Sequence, residues 1–145
     1  MLIFTKIYGQ LEVDDKQLIH FPSGLYGFES LHDFALLDAH QEPFYILQSV
    51  EKVETAFILI NPYVFRPDYV LEIPDNDLEE IGSPEQDDVL VFAIVTIPSE
   101  QREMSANLQG PVIINRQGRL GRQSISLNPV WETRHLIVRE MAGKG

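Results

Sequence analysis

Short β-branched and aromatic stretches separated by turn residues run from one end of the chain to the other. They span Leu2 to Tyr8, Gln10 to Val13, Leu18 to Phe21, Phe34 to Leu37, Phe44 to Ser49, Ala56 to Asn61, Tyr69 to Ile73, Val89 to Ile97, Val112 to Arg116 and Arg122 to Leu127. Segments of this kind predict a mainly β chain, folded as a single-domain antiparallel β-barrel or sandwich with one or two short helices. Two stretches, Phe57-Ile58-Leu59-Ile60 and Val89-Leu90-Val91-Phe92-Ala93-Ile94-Val95, lack polar alternation. A strand with one wet face alternates apolar and polar residues, so these two are expected mid-sheet, covered on both faces.

The first helix is expected over Asp75 to Ile81. Asp75 would accept from the free amides of the first turn, Asp77, Glu79 and Glu80 would sit near the positive end of the dipole, and Gly82 would stop it. A second short turn is expected from Ser99 to about Met104. Gln117-Gly118 predicts a hairpin connection, with Gly118 or Gly121 supplying a positive φ and Arg116, Arg119 and Arg122 gathered at its tip. No repeat or linker divides the chain. Its 145 residues are therefore one expected domain, long enough to bury roughly two-thirds of the surface that the unfolded form exposes. Met1 and Ala142 to Gly145 are expected to fray.

The formal charge of −11 is unevenly placed. Residues 1–66 hold four Lys/Arg against nine Asp/Glu, residues 67–101 none against ten, and residues 102–145 seven against three. Such a surface repels phosphate backbones and anionic lipid heads and attracts basic proteins at long range, although the same charge also serves plain solubility. Direct nucleic-acid binding would have to use the C-terminal arginines, so neither nucleic acid nor membrane is an expected partner. The apolar runs fall short of the roughly 20 residues that cross a bilayer. The start, Met1 to Lys6, has no charged segment ahead of an apolar one and soon meets Tyr8-Gly9, which predicts no signal peptide and a cytoplasmic location.

With no cysteine, a disulfide framework, a thiolate zinc site and a cysteine nucleophile are excluded. His20, His32, His40 and His135 lack the spacing that puts two imidazoles on one face. The run Asp75-Asn76-Asp77-Leu78-Glu79-Glu80 lacks the turn glycine and closing glutamate of a calcium loop. Ser23-Gly24 and Gln109-Gly110 do not belong to a nucleophile elbow, and neither a phosphate loop nor a dinucleotide fingerprint occurs. Carboxylate pairs for glycoside chemistry depend on tertiary distance and stay open. The expectation is a non-enzyme without catalytic residues, cofactor or metal.

Aromatic residues instead collect in turn-rich segments: Phe21, Tyr26 and Phe28 within Phe21-Pro22-Ser23-Gly24-Leu25-Tyr26-Gly27-Phe28-Glu29, and Tyr63, Phe65 and Tyr69 within Asn61-Pro62-Tyr63-Val64-Phe65-Arg66-Pro67-Asp68-Tyr69. Prolines and glycines pre-set the backbone, so such rings either anchor a partner at little entropic cost or cap the ends of a barrel. If the second segment is extended, Tyr63, Phe65 and Tyr69 share one face, with Arg66 and Asp68 on the other.

Together with Phe44-Tyr45-Ile46-Leu47-Gln48-Ser49, Val91-Phe92-Ala93-Ile94-Val95-Thr96-Ile97-Pro98, Met104-Ser105-Ala106-Asn107-Leu108-Gln109-Gly110-Pro111-Val112-Ile113-Ile114-Asn115 and Arg134-His135, these two loops make the chain resemble the flagellar assembly factor FliW family over residues 1–137. Leu136 to Gly145 runs past the Arg-His ending associated with that family, so no role is carried onto it. The resemblance implies a β-rich cytoplasmic regulator of flagellum biogenesis. Such proteins bind flagellin and, when free, the CsrA homodimer, a translational repressor that they antagonise. From the loops, the acidic stretch and the segment around Asn107, the candidate partner-binding residues are Phe28, Glu29, Tyr63, Phe65, Asp68, Tyr69, Asp87, Asp88 and Asn107. The other reading is a β-barrel small-ligand-binding protein or hydrolase with the aromatic loops around a pocket.

Overall fold

The computed structural model describes residues 1–99 and 103–142. Its strands are β1 (Leu2–Thr5), β2 (Gly9–Glu12), β3 (Leu18–His20), β4 (Asp33–Asp38), β5 (Phe44–Ser49), β6 (Ala56–Ile60), β7 (Val89–Thr96), β8 (Ser105–Asn115), β9 (Leu120–Gln123) and β10 (His135–Leu136). Two six-residue helices, α1 (Asp75–Glu80) and α2 (Ile137–Ala142), join them. From β3 to β8 each strand lies antiparallel to the next. β9 then pairs antiparallel with β8 and, through His20 and Leu120, parallel with β3, which closes a seven-stranded barrel. β10 lies against the first residues of β8, on the opposite side from β7.

The two continuous apolar runs became β6 and β7, and both are covered on both faces. Leu59 and Phe92 point into the barrel, where Phe21, Phe34, Leu47 and Ile114 fill the interior. Their neighbours Ile60, Ala93 and Val95 point outward into a second cluster with Phe65, Tyr69, Trp131 and Ile137. The β1–β2 hairpin covers a third patch, laying Ile3 and Val13 on Ala35, Leu37 and Ile46. Three buried clusters around one sheet explain why these strands lose the usual alternation.

Several expectations are corrected. Tyr69 to Ile73 is not a strand: Pro67 and Pro74 bracket it, Tyr69 N–H turns back to the Arg66 carbonyl, and the Glu72 carbonyl accepts from Leu127 N–H at 2.7 Å without a ladder forming around it. The strand expected over Val112 to Arg116 begins at Ser105. The one expected over Arg122 to Leu127 ends at Gln123, because beyond it Pro111 on β8 accepts from Ser124 at 2.8 Å but has no N–H to return. Gly118 and Gly121 do not supply the positive φ; Arg119 does, at 56°. Those glycines make room instead, since a Cβ would stand 2.6 Å from the Phe21 ring at Gly121 and 2.9 Å from Asn115 Nδ2 at Gly118.

Pro74, not Asp75, is the cap of α1 and makes no side-chain bond, while Gly82 ends the helix at φ 92° as expected. Met1 is pinned, its ammonium 2.9 Å from Glu12 and its carbonyl accepting from Val13 N–H. α2 and β10 were not expected at all. Part of the turn expected from Ser99 to Met104, residues 100–102, lies outside the described residues, as do 143–145 of the expected fraying tail.

Candidate functional site

Glycine geometry divides the first aromatic loop into an inner and an outer half. Gly24 (φ 66°) and Gly27 (φ 86°) turn the chain, and a Cβ at Gly24 would meet the Phe28 carbonyl oxygen at 2.6 Å. Phe21 and Leu25 therefore drop into the barrel as a plug, while Tyr26 and Phe28 stay exposed. The Phe28 ring stands edge-on to Phe57 with centroids 5.0 Å apart. Glu29 turns back to accept from Gly27 N–H at 3.1 Å.

The second loop is not extended, which corrects the expected shared face. Asn61 Oδ1 accepts from Tyr63 N–H at 2.9 Å, Pro62 opens a 3-10 turn over Pro62–Val64, and the rings part company. Phe65 is fully buried. Tyr69 is buried too, its hydroxyl donating to the Leu108 carbonyl at 3.0 Å, and burial lifts its phenol well above the ordinary range. Tyr63 alone among the three rings stays at the surface, edge-on to Tyr69 at 5.8 Å. Arg66 turns its Nε and Nη2 onto the two Asp68 oxygens at 2.9 and 2.8 Å.

Tyr63, Tyr69 and Asp87 come together along one open cleft of about 790 Å³, between this loop and the turn after α1, with Val70, Leu78 and Val91 as its apolar lining. Phe28 and Glu29 take no part in that lining, and Asn107 serves β8: its Oδ1 accepts from Gln109 and Gly110 N–H groups at 3.0 and 2.8 Å.

The acidic stretch also reads differently in space. Asp88 pairs with Arg116 at 2.7 Å, and Arg122 reaches Asp77 at 3.2 Å and Glu80 at 3.0 Å. Hydrogen bonds from Arg116 and Gln117 hold the Asp88 carboxyl below its ordinary value. Arg119 donates to the Asp15 carbonyl. The three arginines expected at a hairpin tip are thus turned onto protein acceptors, whereas Glu72, Asp75, Glu79, Glu85 and Asp87 are exposed.

Beyond Leu136, where no role was expected, α2 returns to the outer cluster. Glu140 bonds Arg66 at 2.7 Å and His135 Nδ1 at 3.0 Å, and Arg66 lies over the Trp131 ring, 4.8 Å from its centroid. The signals available for this group were Arg66 in the second aromatic loop and the Arg134-His135 pair, both within the resemblance. Among the described residues, His, Cys, Asp and Glu form no group of three or more placed to hold a metal ion, and no helix is long and apolar enough to cross a membrane.

These features define a class: a closed β-barrel packed with its own side chains, its clefts on the outside. The match to known proteins is equally full-length. The sequence profile of the FliW protein family matches residues 2–137, and the chain belongs to that family. It is 44% identical over 145 residues to the flagellar assembly factor FliW of Treponema denticola, covering 100% of this chain and 99% of the relative. Identity to that of Treponema pallidum is 46% over 142 residues, covering 98% and 95%. A crystal structure of the flagellar assembly factor FliW superposes with a TM-score of 0.87 at 36% identity, covering 94% of this chain and 96% of that one.

Proposed function

We propose that this protein is a cytoplasmic flagellar assembly factor that binds flagellin and, when free of it, binds and antagonises the CsrA dimer, so promoting flagellin synthesis. The observation that carries the reading is likeness along the whole chain to proteins named as flagellar assembly factors. Exposed Glu79, Glu85 and Asp87 lend physical support, because carboxylates beside an RNA-binding groove would lower its affinity for phosphate without occupying it. The container or hydrolase alternative is weakened by a barrel interior filled with Phe21, Phe34, Leu47 and Phe92. Titrating the purified protein with flagellin and CsrA, separately and together, tests the proposal. Binding to each alone, with flagellin displacing CsrA, is the expected result; binding to neither would overturn it.

A further inference from the structure

α2 begins at residue 137, where the family match ends. Its grip on the barrel is narrow. Ile137 is buried in the outer cluster and its N–H donates to the Met104 carbonyl at 3.0 Å, but Val138 and Met141 are exposed. Glu140 is what ties the helix down, through Arg66 and His135. A six-residue helix is far below the roughly 12–15 residues at which isolated helices begin to hold.

The cradle around Glu140 does not need it for neutrality. Asp68 already takes one full edge of the Arg66 guanidinium. His135 Nε2 accepts from Glu132 N–H at 2.9 Å, so Nδ1 carries the proton and faces the carboxylate as a donor. Trp131, buried and with an indole N–H that has no acceptor among the described residues, forms the floor under the guanidinium. Arg134 and Arg139 are exposed nearby in sequence, within the one net-positive third of the chain. A pre-set guanidinium edge, a neutral imidazole donor and an aromatic floor are the parts of a carboxylate site.

We propose that Arg66, His135 and Trp131 form a carboxylate-recognition site for an acidic segment of a partner protein, and that Glu140 fills it as an internal, displaceable ligand. The Arg66–Glu140 pair is 23% exposed on each side and holds a helix too short to persist alone, so an incoming carboxylate competes with it and its apparent affinity is scaled by the fraction of time that α2 is undocked. The site acts on whatever protein carries the acid, so its test needs neither flagellin nor CsrA.

Trp131 is the single tryptophan, and its emission reports the cradle directly. The full chain and its Glu140→Ala and Glu140→Gln variants would be titrated with a capped hexapeptide of alternating alanine and glutamate, and with the same peptide carrying glutamine. Melting curves would establish that each variant is folded. The expected result is binding about fivefold tighter in both variants than in the natural chain, if docking is favoured by about that factor. Adding Arg66→Gln should abolish binding, and the glutamine peptide should bind nowhere. Equal affinity with and without Glu140, an equal response to the glutamine peptide, or no binding to either folded variant would overturn the proposal.

Discussion

Tyr63 and Phe65 stand two residues apart, and the structure gives them opposite tasks. Replacing Phe65, fully buried, by alanine should cost about 3–5 kcal/mol of stability. Tyr63→Ala, at a surface ring, should stay within about 0.5 kcal/mol in a denaturant melt and show its effect in partner binding. If both variants melt alike, the division of this loop is wrong. The division was not legible beforehand, because the 3-10 turn after Asn61 sets which ring faces inward, whereas alternation counted along an extended chain puts both on one face.

Tyr69 adds a titration. Its folded phenol has a raised pKa, chiefly from burial, so its stabilising contribution is complete below the ordinary value near about 10 and is lost as pH rises through the folded one. Absorbance at alkaline pH should show Tyr69 ionising after the exposed tyrosines and together with loss of the fold.

Among the elements, α1 is attached by charge. Arg122 on β9 reaches both Asp77 and Glu80, and Ser23 donates to Glu80 at 2.9 Å. Arg122→Ala should cost about 1.5–3 kcal/mol, the range for hydrogen bonds to charged groups, and raise hydrogen exchange in α1 before the barrel strands. Uniform exchange would mean that α1 does not open separately. Gly121→Ala should destabilise by about 1–3 kcal/mol, because the added methyl meets Phe21 inside the barrel. The strands from β3 to β7 could be read closely from apolar runs between turns. β8 could not: Asn107, Gln109, Gly110 and Pro111 imitate a loop, yet the Asn107 side chain satisfies two of the amides there. β10 and α2 escaped because their hold comes from residues far off in sequence, Ser105 and Ala106 for the strand and Arg66 and Met104 for the helix.

For the whole molecule, charge counted along the sequence overstated the bare acidic surface. Arg116 and Arg122, distant in the chain, sit on Asp88, Asp77 and Glu80. Steering of a basic partner should therefore depend on Asp87 more than on Asp88. Asp87→Asn should slow association in low salt with little change in dissociation, whereas Asp88→Asn should mainly release Arg116. Equal on-rates for the natural chain and Asp87→Asn would remove this residue from steering. The barrel itself was legible as one of two all-β arrangements; the choice between them rests on how β9 meets β3, a single contact that periodicity does not encode.

That contact joins His20 to Leu120. A chain leaving the ribosome at about 5–20 residues per second must wait several seconds between emergence of the first lip and the second. During that interval Phe21, Phe34, Leu47 and Leu59, which the finished barrel encloses, lack the strand that closes it. Because the barrel closes only through β9, its apolar interior has no complete enclosure until that strand has been made, and translation is where exposure to aggregation is expected to be greatest.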